Sequence, residues 1–203
     1  MVYLIFISTI SYILGSIPFA LLVSLPFGVD PRKEGSKNPG ATNVARLLGK
    51  KWGIITFLGD ASKGVLALLI AYLFKSKISY PQELILSLAG FFAVLGHLFS
   101  VFLKFKGGKG VATTIGVFLF LAPKAMLVSL LTFLAGVALT GFVSVGSLLA
   151  TIFLPINLFI FNYPTEYIIC ATLLGVLIWY KHKDNIRRLL RGEEKSWRKH
   201  KHG

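Results

Sequence analysis

The sequence predicts an all-α, polytopic integral membrane protein of about seven transmembrane helices, and three observations carry that prediction. Its 203 residues are 55% hydrophobic with a mean hydropathy of +0.73, well above an ordinary soluble domain. Apolar runs near the ~20 residues needed to cross a bilayer recur along the whole length, leaving no room for a separate soluble domain. The cations are gathered into three stretches instead of being spread evenly. The expected organisation is one membrane-embedded domain, 1–203, with a basic tail from about residue 181.

The first apolar segment covers residues 2–25. No Lys or Arg precedes it, so it lacks the basic start of a signal peptide and is expected to be retained. Gly15, Ser16 and Pro18 interrupt it, and such residues survive in a membrane helix where neighbours re-satisfy the backbone. Residues 52–74 and 84–103 form the second and third segments. The fourth, 111–122, is short, open between half of a broken helix lining a cavity and a full crossing. Residues 125–139, 143–161 and 168–180 complete the set.

Topology follows from the cations. Loop 26–51 carries Arg32, Lys33, Lys37, Arg46, Lys50 and Lys51, and a Gly-rich loop carries Lys104, Lys106 and Lys109. The tail carries Lys181, Lys183, Arg187, Arg188, Arg191, Lys195, Arg198, Lys199 and Lys201, while the other loops hold only Lys75, Lys77 and Lys124. Seven crossings put the three rich segments on one face, with the N-terminus outside and the C-terminus cytoplasmic. Six would separate them. The formal charge of +14 is thus read as cytoplasmic loops facing anionic headgroups, and nucleic acid is not expected as a partner. Cys170, the only cysteine, lies in an apolar run and gives no disulfide, metal or redox signal.

Three stretches carry chemistry. Residues 102–114, FLKFKGGKGVATT, outline a phosphate cradle: Gly107, Gly108 and Gly110 let backbone amides close on an anion beside Lys104, Lys106 and Lys109. A helix starting at Val111 would aim its positive end at the same place. The loop is not a nucleotide-binding P-loop, because Gly110 follows Lys109. Its plainer reading is a flexible basic turn. Residues 35–46, GSKNPGATNVAR, crowd Ser36, Asn38, Thr42 and Asn43 beside Arg46, whose planar fork suits phosphate. Thr42 or Asn43 is expected to cap a short helix ending at Gly49; an ordinary capped turn is the alternative. The tail from Tyr180 contains an amphipathic turn through Ile186, Leu189 and Leu190 that reads as a lipid-surface anchor, with His182 and Asn185 on one side.

Within the membrane, Asp60 and Lys63 are spaced to pair, either as a packing device or as a substrate site. His97 is open between a packing role and a functional one beside the Gly-rich loop. Gly141, Ser144, Gly146, Ser147 and Ala150 read as close helix contact. Metal-ligand spacings of Cys and His, a G-x-S-x-G elbow and an H-x-x-x-x-D acyltransferase motif are all missing from the sequence.

Residues 35–46, 96–113 (GHLFSVFLKFKGGKGVAT) and 182–194 (HKDNIRRLLRGEE) together resemble the three signature motifs of the bacterial acyl-phosphate-dependent glycerol-3-phosphate acyltransferases. The resemblance extends over essentially the whole chain, including Asp60-x-x-Lys63-Gly64. It implies a multi-pass enzyme of the bacterial plasma membrane with its active site on the cytoplasmic face. Such an enzyme moves a fatty acyl group from acyl phosphate to position 1 of sn-glycerol 3-phosphate, releasing lysophosphatidate and phosphate, the first step of phospholipid synthesis. The motif match puts Ser36 and Arg46 on the essential first-motif positions, and Lys109 with the glycines on the glycerol-phosphate loop. His182, Asn185 and a glutamate, most simply Glu193 with Glu194 beside it, fall on the third-motif positions.

Taken with the residues, this gives Ser36, Arg46, His97 and Lys109 catalytic assignments. Asn38, Thr42, Asn43, Lys104, Gly107, Gly108, Gly110, His182, Asn185 and Arg188 are assigned to substrate binding, and Asp60, Lys63 and Glu193 to structure. Acyl phosphate, glycerol 3-phosphate and membrane lipids are the expected partners, with no cofactor, metal or obligate protein partner. The proton acceptor is open between His97 and the acyl phosphate's own oxygens. An acyl phosphate is already activated, so no acyl-enzyme intermediate is expected. A small transporter for an anionic solute would also want basic loops and broken helices, but the chain shows no internal repeat. A lipid-binding scaffold leaves the Ser/Asn/Thr/Gly loop unexplained, and a metal-dependent CDP-alcohol phosphotransferase would need aspartates less scattered than Asp30, Asp60 and Asp184.

Overall fold

The computed structural model describes residues 1–197, so the tail cations Arg198, Lys199 and Lys201 lie outside the described residues. The described residues are all-helical, without strands, and cluster into two compact units divided after Leu121.

The first unit holds α1 (Val2–Ser16), α2 (Phe19–Ser24), α3 (Ala41–Leu48), α4 (Lys50–Phe74), α5 (Gln82–Leu98) and α6 (Val111–Leu121). The first apolar run is a broken helix. Pro18 has no N–H to continue the ladder, and α1 gives way to α2 across Ile17–Pro18. The freed carbonyls are re-satisfied by neighbours, as expected of a break at membrane depth. The Ser100 hydroxyl donates to Ser16 O at 2.5 Å, and Lys63 Nζ donates to Ile17 O at 3.0 Å. α1 packs on α5 and α4, and α4 on α6. These crossings are close because they run through glycine. A Cβ on Gly15 would enter the Ala93 backbone, and one on Gly96 the Tyr12 carbonyl. α3 is not capped by Thr42 or Asn43. The helix begins at Ala41, so both lie within its first turn, and its N-cap is Gly40, without a side-chain cap.

The second unit holds α7 (Pro123–Thr140), α8 (Val143–Ile160), α9 (Thr165–Lys181) and α10 (Lys183–Leu190). α7 packs on α8 and α8 on α9. Of the small residues expected at a helix contact, Gly146 serves as one, against the Phe133 carbonyl. Gly141 instead ends α7 in a left-handed turn at φ 80°, and the Ser144 hydroxyl is engaged by the tail. A polar pair the sequence reading missed, Asn157 Nδ2 to Ser129 Oγ at 3.0 Å, ties α8 to α7.

Among the described residues, five segments are long and apolar enough to cross a membrane: Val2–Phe27, Lys50–Lys77, Gln82–Leu103, Pro123–Thr140 and Val143–Ile160. The fourth sequence segment, α6, is only 11 residues long, and α9 has 17.

Candidate active site

In the first unit the 35–46 stretch is organised from within by Asn43. From the first turn of α3 its side chain folds back into the loop, 1% exposed. It accepts the Ser36 N–H at 2.8 Å and donates to the carbonyls of Pro31 and Glu34 at 2.9 and 3.0 Å. Both amide hydrogens of Asn43 are therefore committed within the loop. Arg32 is likewise committed, bonded through Nε and a terminal nitrogen to Asp30. In the same stretch Ser36, Asn38, Thr42 and Arg46 are half-buried and Lys37 is exposed. Thr42 and Arg46 are four apart on α3 and share a face.

The Gly-rich loop starts where α5 ends. Lys104 and Phe105 both take left-handed backbone, at φ 51° and 62°, and turn the chain sharply. Lys104 and Lys106 are exposed, Lys109 is half-buried, and α6 begins at Val111 as the motif predicted. Not every glycine amide is available to an anion. Gly108 N–H donates to His97 O at 3.1 Å, so it is spent inside the protein. Gly108 also joins the two loops: a Cβ there would strike His97 Nε2 and lie 3.0 Å from Pro39 O.

Beneath this junction lies a cluster the sequence reading left in two pieces. Asp60 and Lys63 do pair, at 2.9 Å, each side chain 3% exposed. His97, 6% exposed, brings Nδ1 to 3.4 Å from the same Asp60 oxygen. The available signal was that polar groups at membrane depth seek one another.

In the second unit, His182 N-caps α10, with Nδ1 2.8 Å from Ile178 O; a carbonyl only accepts, so the proton sits on Nδ1. His182 and Asn185 are 2% and 6% exposed, so they pack inward and not on the amphipathic turn's outer side. The glutamate that engages Asn185 is Glu194, not Glu193. Glu194 accepts from Asn185 Nδ2 at 2.6 Å, Arg188 Nε at 2.7 Å and Ser144 Oγ at 2.9 Å, while Glu193 is exposed. A left-handed Gly192 just before them makes Glu194 the residue that turns inward. Burial pushes the Glu194 carboxyl up, but the hydrogen bonds from Asn185, Arg188 and Ser144 outweigh it and hold the group below its ordinary value.

Comparison with known proteins gives these residues a context. The glycerol-3-phosphate acyltransferase family matches residues 5–192. The chain belongs to that family. A relative from Desulfotalea psychrophila, named glycerol-3-phosphate acyltransferase, is 53% identical over 94% of this chain and 96% of its own. One of the same name from Methylococcus capsulatus is 47% identical over 91% of each. Crystal structures of PlsY, an integral membrane glycerol 3-phosphate acyltransferase, superpose on 96% of this chain and 95% of theirs at 41% identity. The TM-score is 0.88 for the glycerol 3-phosphate form and 0.86 for the lysophosphatidic acid form. The protein is thus a multi-pass membrane member of the glycerol-3-phosphate acyltransferase family, and all three stretches singled out in the sequence lie largely inside the matched region.

Proposed function

We propose that this protein transfers a fatty acyl group from acyl phosphate to the sn-1 hydroxyl of glycerol 3-phosphate. The observation that carries the reading is the full-length likeness to PlsY, whose solved forms bind glycerol 3-phosphate and lysophosphatidic acid. The glycerol hydroxyl oxygen attacks the acyl carbon, the acyl C–O bond to phosphorus breaks, and inorganic phosphate leaves. The departing phosphate takes the hydroxyl proton, so no acyl-enzyme forms.

In the first unit, Ser36, Asn38, Thr42 and Arg46 engage the acyl phosphate. Lys104, Lys109 and the amides of Gly107 and Gly110 engage the phosphate of glycerol 3-phosphate. In the second unit, His182, Asn185 and Arg188 are substrate-binding residues, and Glu194 holds the last two in place. The whole chain, 1–203, acts as one acyltransferase domain. It crosses the bacterial plasma membrane seven times, N-terminus outside, with the basic loops and tail cytoplasmic. The donor is acyl phosphate, and no obligate protein partner is needed.

The test is phosphate release by purified protein given palmitoyl phosphate with and without glycerol 3-phosphate, beside Lys109→Ala. Release should require glycerol 3-phosphate, and the variant should need about tenfold more of it, as for one lost charge-assisted bond. No turnover, with vesicle uptake of a phosphorylated solute instead, would make the protein a transporter.

A further inference from the structure

Three buried polar side chains form one line between the break in the first apolar segment and the Gly-rich loop. At one end Lys63 Nζ donates to Ile17 O at the break. In the middle Asp60 Oδ1 pairs with Lys63 and lies 3.4 Å from His97 Nδ1. At the other end the imidazole abuts Gly108, where its Nε2 occupies the space a Cβ would need, and the His97 carbonyl takes the Gly108 N–H. Residues just beyond His97 are fastened to the same break. Tyr12 Oη donates to Phe99 O at 2.5 Å, and Ser100 Oγ to Ser16 O at 2.5 Å.

Burying an ion pair and an imidazole together is costly, and the return is a fixed geometry: each partner holds the next in a single arrangement. The helix break is immobilised on two sides, so Lys63 has a rigid anchor. Lys63 and Asp60 lie one turn apart on α4 and cannot shift independently. Asp60 orients the imidazole, and the ring edge sets how far Gly108 can settle. Gly107, Lys109 and Gly110 flank that point.

We propose that Lys63, Asp60 and His97 are positioning residues that set the height of the Gly-rich loop and so its grip on the phosphate of glycerol 3-phosphate. The inference rests on the acyltransferase reading above. On this view His97 does not receive the hydroxyl proton; it is a spacer held at one edge by Asp60 and pressed at the other against Gly108.

A compensation experiment with purified enzyme separates the spacer from a base. Gly108→Ala overfills the contact with the imidazole and should raise KM for glycerol 3-phosphate about tenfold, leaving kcat within about threefold. His97→Asn keeps a donor where Nδ1 stood, for Asp60, and deletes the far edge of the ring. Added to Gly108→Ala it should return KM to within about threefold of wild type, because the clash with the ring is gone and only the Pro39 carbonyl, 3.0 Å away, must still give slightly. KM for palmitoyl phosphate should stay level throughout. A double variant no better than Gly108→Ala overturns the proposal. So does a His97→Asn enzyme with normal KM and kcat down about a hundredfold, the loss expected for a general base.

Should Gly108→Ala not be recovered folded, Asp60→Asn and His97→Asn decide. Acting along one line, their effects on KM should not add, and additive effects or losses confined to kcat count against it. Wild-type enzyme that releases no phosphate with glycerol 3-phosphate defeats the acyltransferase reading itself, an outcome distinct from either of these.

Discussion

Each unit fixes a functional segment with one carboxylate, and the two carboxylates are built differently. Asp60 sits on a helix with all its partners drawn from buried positions, and its counter-ion Lys63 is as inaccessible as itself, at 3%. Glu194 arrives from the tail, and although its own side chain is 5% exposed, its counter-ion Arg188 is 31% exposed. Water can replace Glu194 at Arg188; nothing can replace Asp60 at Lys63. The first carboxylate is therefore costly to remove, and the second an adjustable clasp.

The largest expected effect follows directly. Asp60→Leu strands an ammonium in apolar surroundings and should cost about 3–5 kcal/mol, while Asp60→Leu with Lys63→Met should regain much of that loss. Thermal unfolding of the purified variants in detergent reads both. A double variant less stable than Asp60→Leu alone would mean that the Ile17 carbonyl contact, and not the buried charge, dominates.

The clasp should give way more gently. Glu194→Gln keeps an acceptor for Asn185 and Ser144 but drops the charge facing Arg188, for about 1–2 kcal/mol of tail docking after allowing for solvent at the arginine. Glu193→Gln should be silent within about 0.5 kcal/mol. Proteolysis near Trp197, whose N–H bonds Gly141 O at 2.7 Å, reports the docking. Equal sensitivity in the two variants would undo the assignment of Glu194.

The acid response sharpens the same contrast. The Glu194 carboxyl titrates below its ordinary 4.5 in the folded protein, so its contribution is fully present above that value. It is lost only as pH falls through the lower folded value. Tail docking should thus survive at pH 4.5 and release at more acidic pH, and Glu194→Gln should remove that dependence. Docking that already fails above pH 4.5 would contradict the sign.

The helical class and the sites of the helix break, the Gly-rich loop and the Asp60–Lys63 pair were legible in the sequence because each has a local cause. Pro18 lacks a donor, glycines and lysines alternate between apolar runs, and a spacing of three puts two side chains on one helix face. What stayed hidden depends on residues distant in the chain. Asn43 looked like one more donor for a ligand, and only the folded loop shows its amide spent on Pro31 and Glu34. Asp60 and His97 are 37 positions apart by number and meet only once α4 and α5 have packed. Choosing Glu194 over Glu193 required the turn at Gly192, which a run of two identical residues cannot reveal.

The smallest prediction tests whether it is charge, or merely location, that makes the Asp60 cluster costly to disturb. Tyr12→Phe and Ser100→Ala each remove a neutral hydroxyl bond at the same helix break that Lys63 anchors. Hydrogen bonds between membrane helices average about 0.6 kcal/mol. Each variant should therefore lose well under about 1 kcal/mol in thermal unfolding, with the pair close to additive because the two hydroxyls serve different carbonyls. If either costs as much as Asp60→Leu, the break itself is the fragile point of the first unit, and the buried charge is incidental to it.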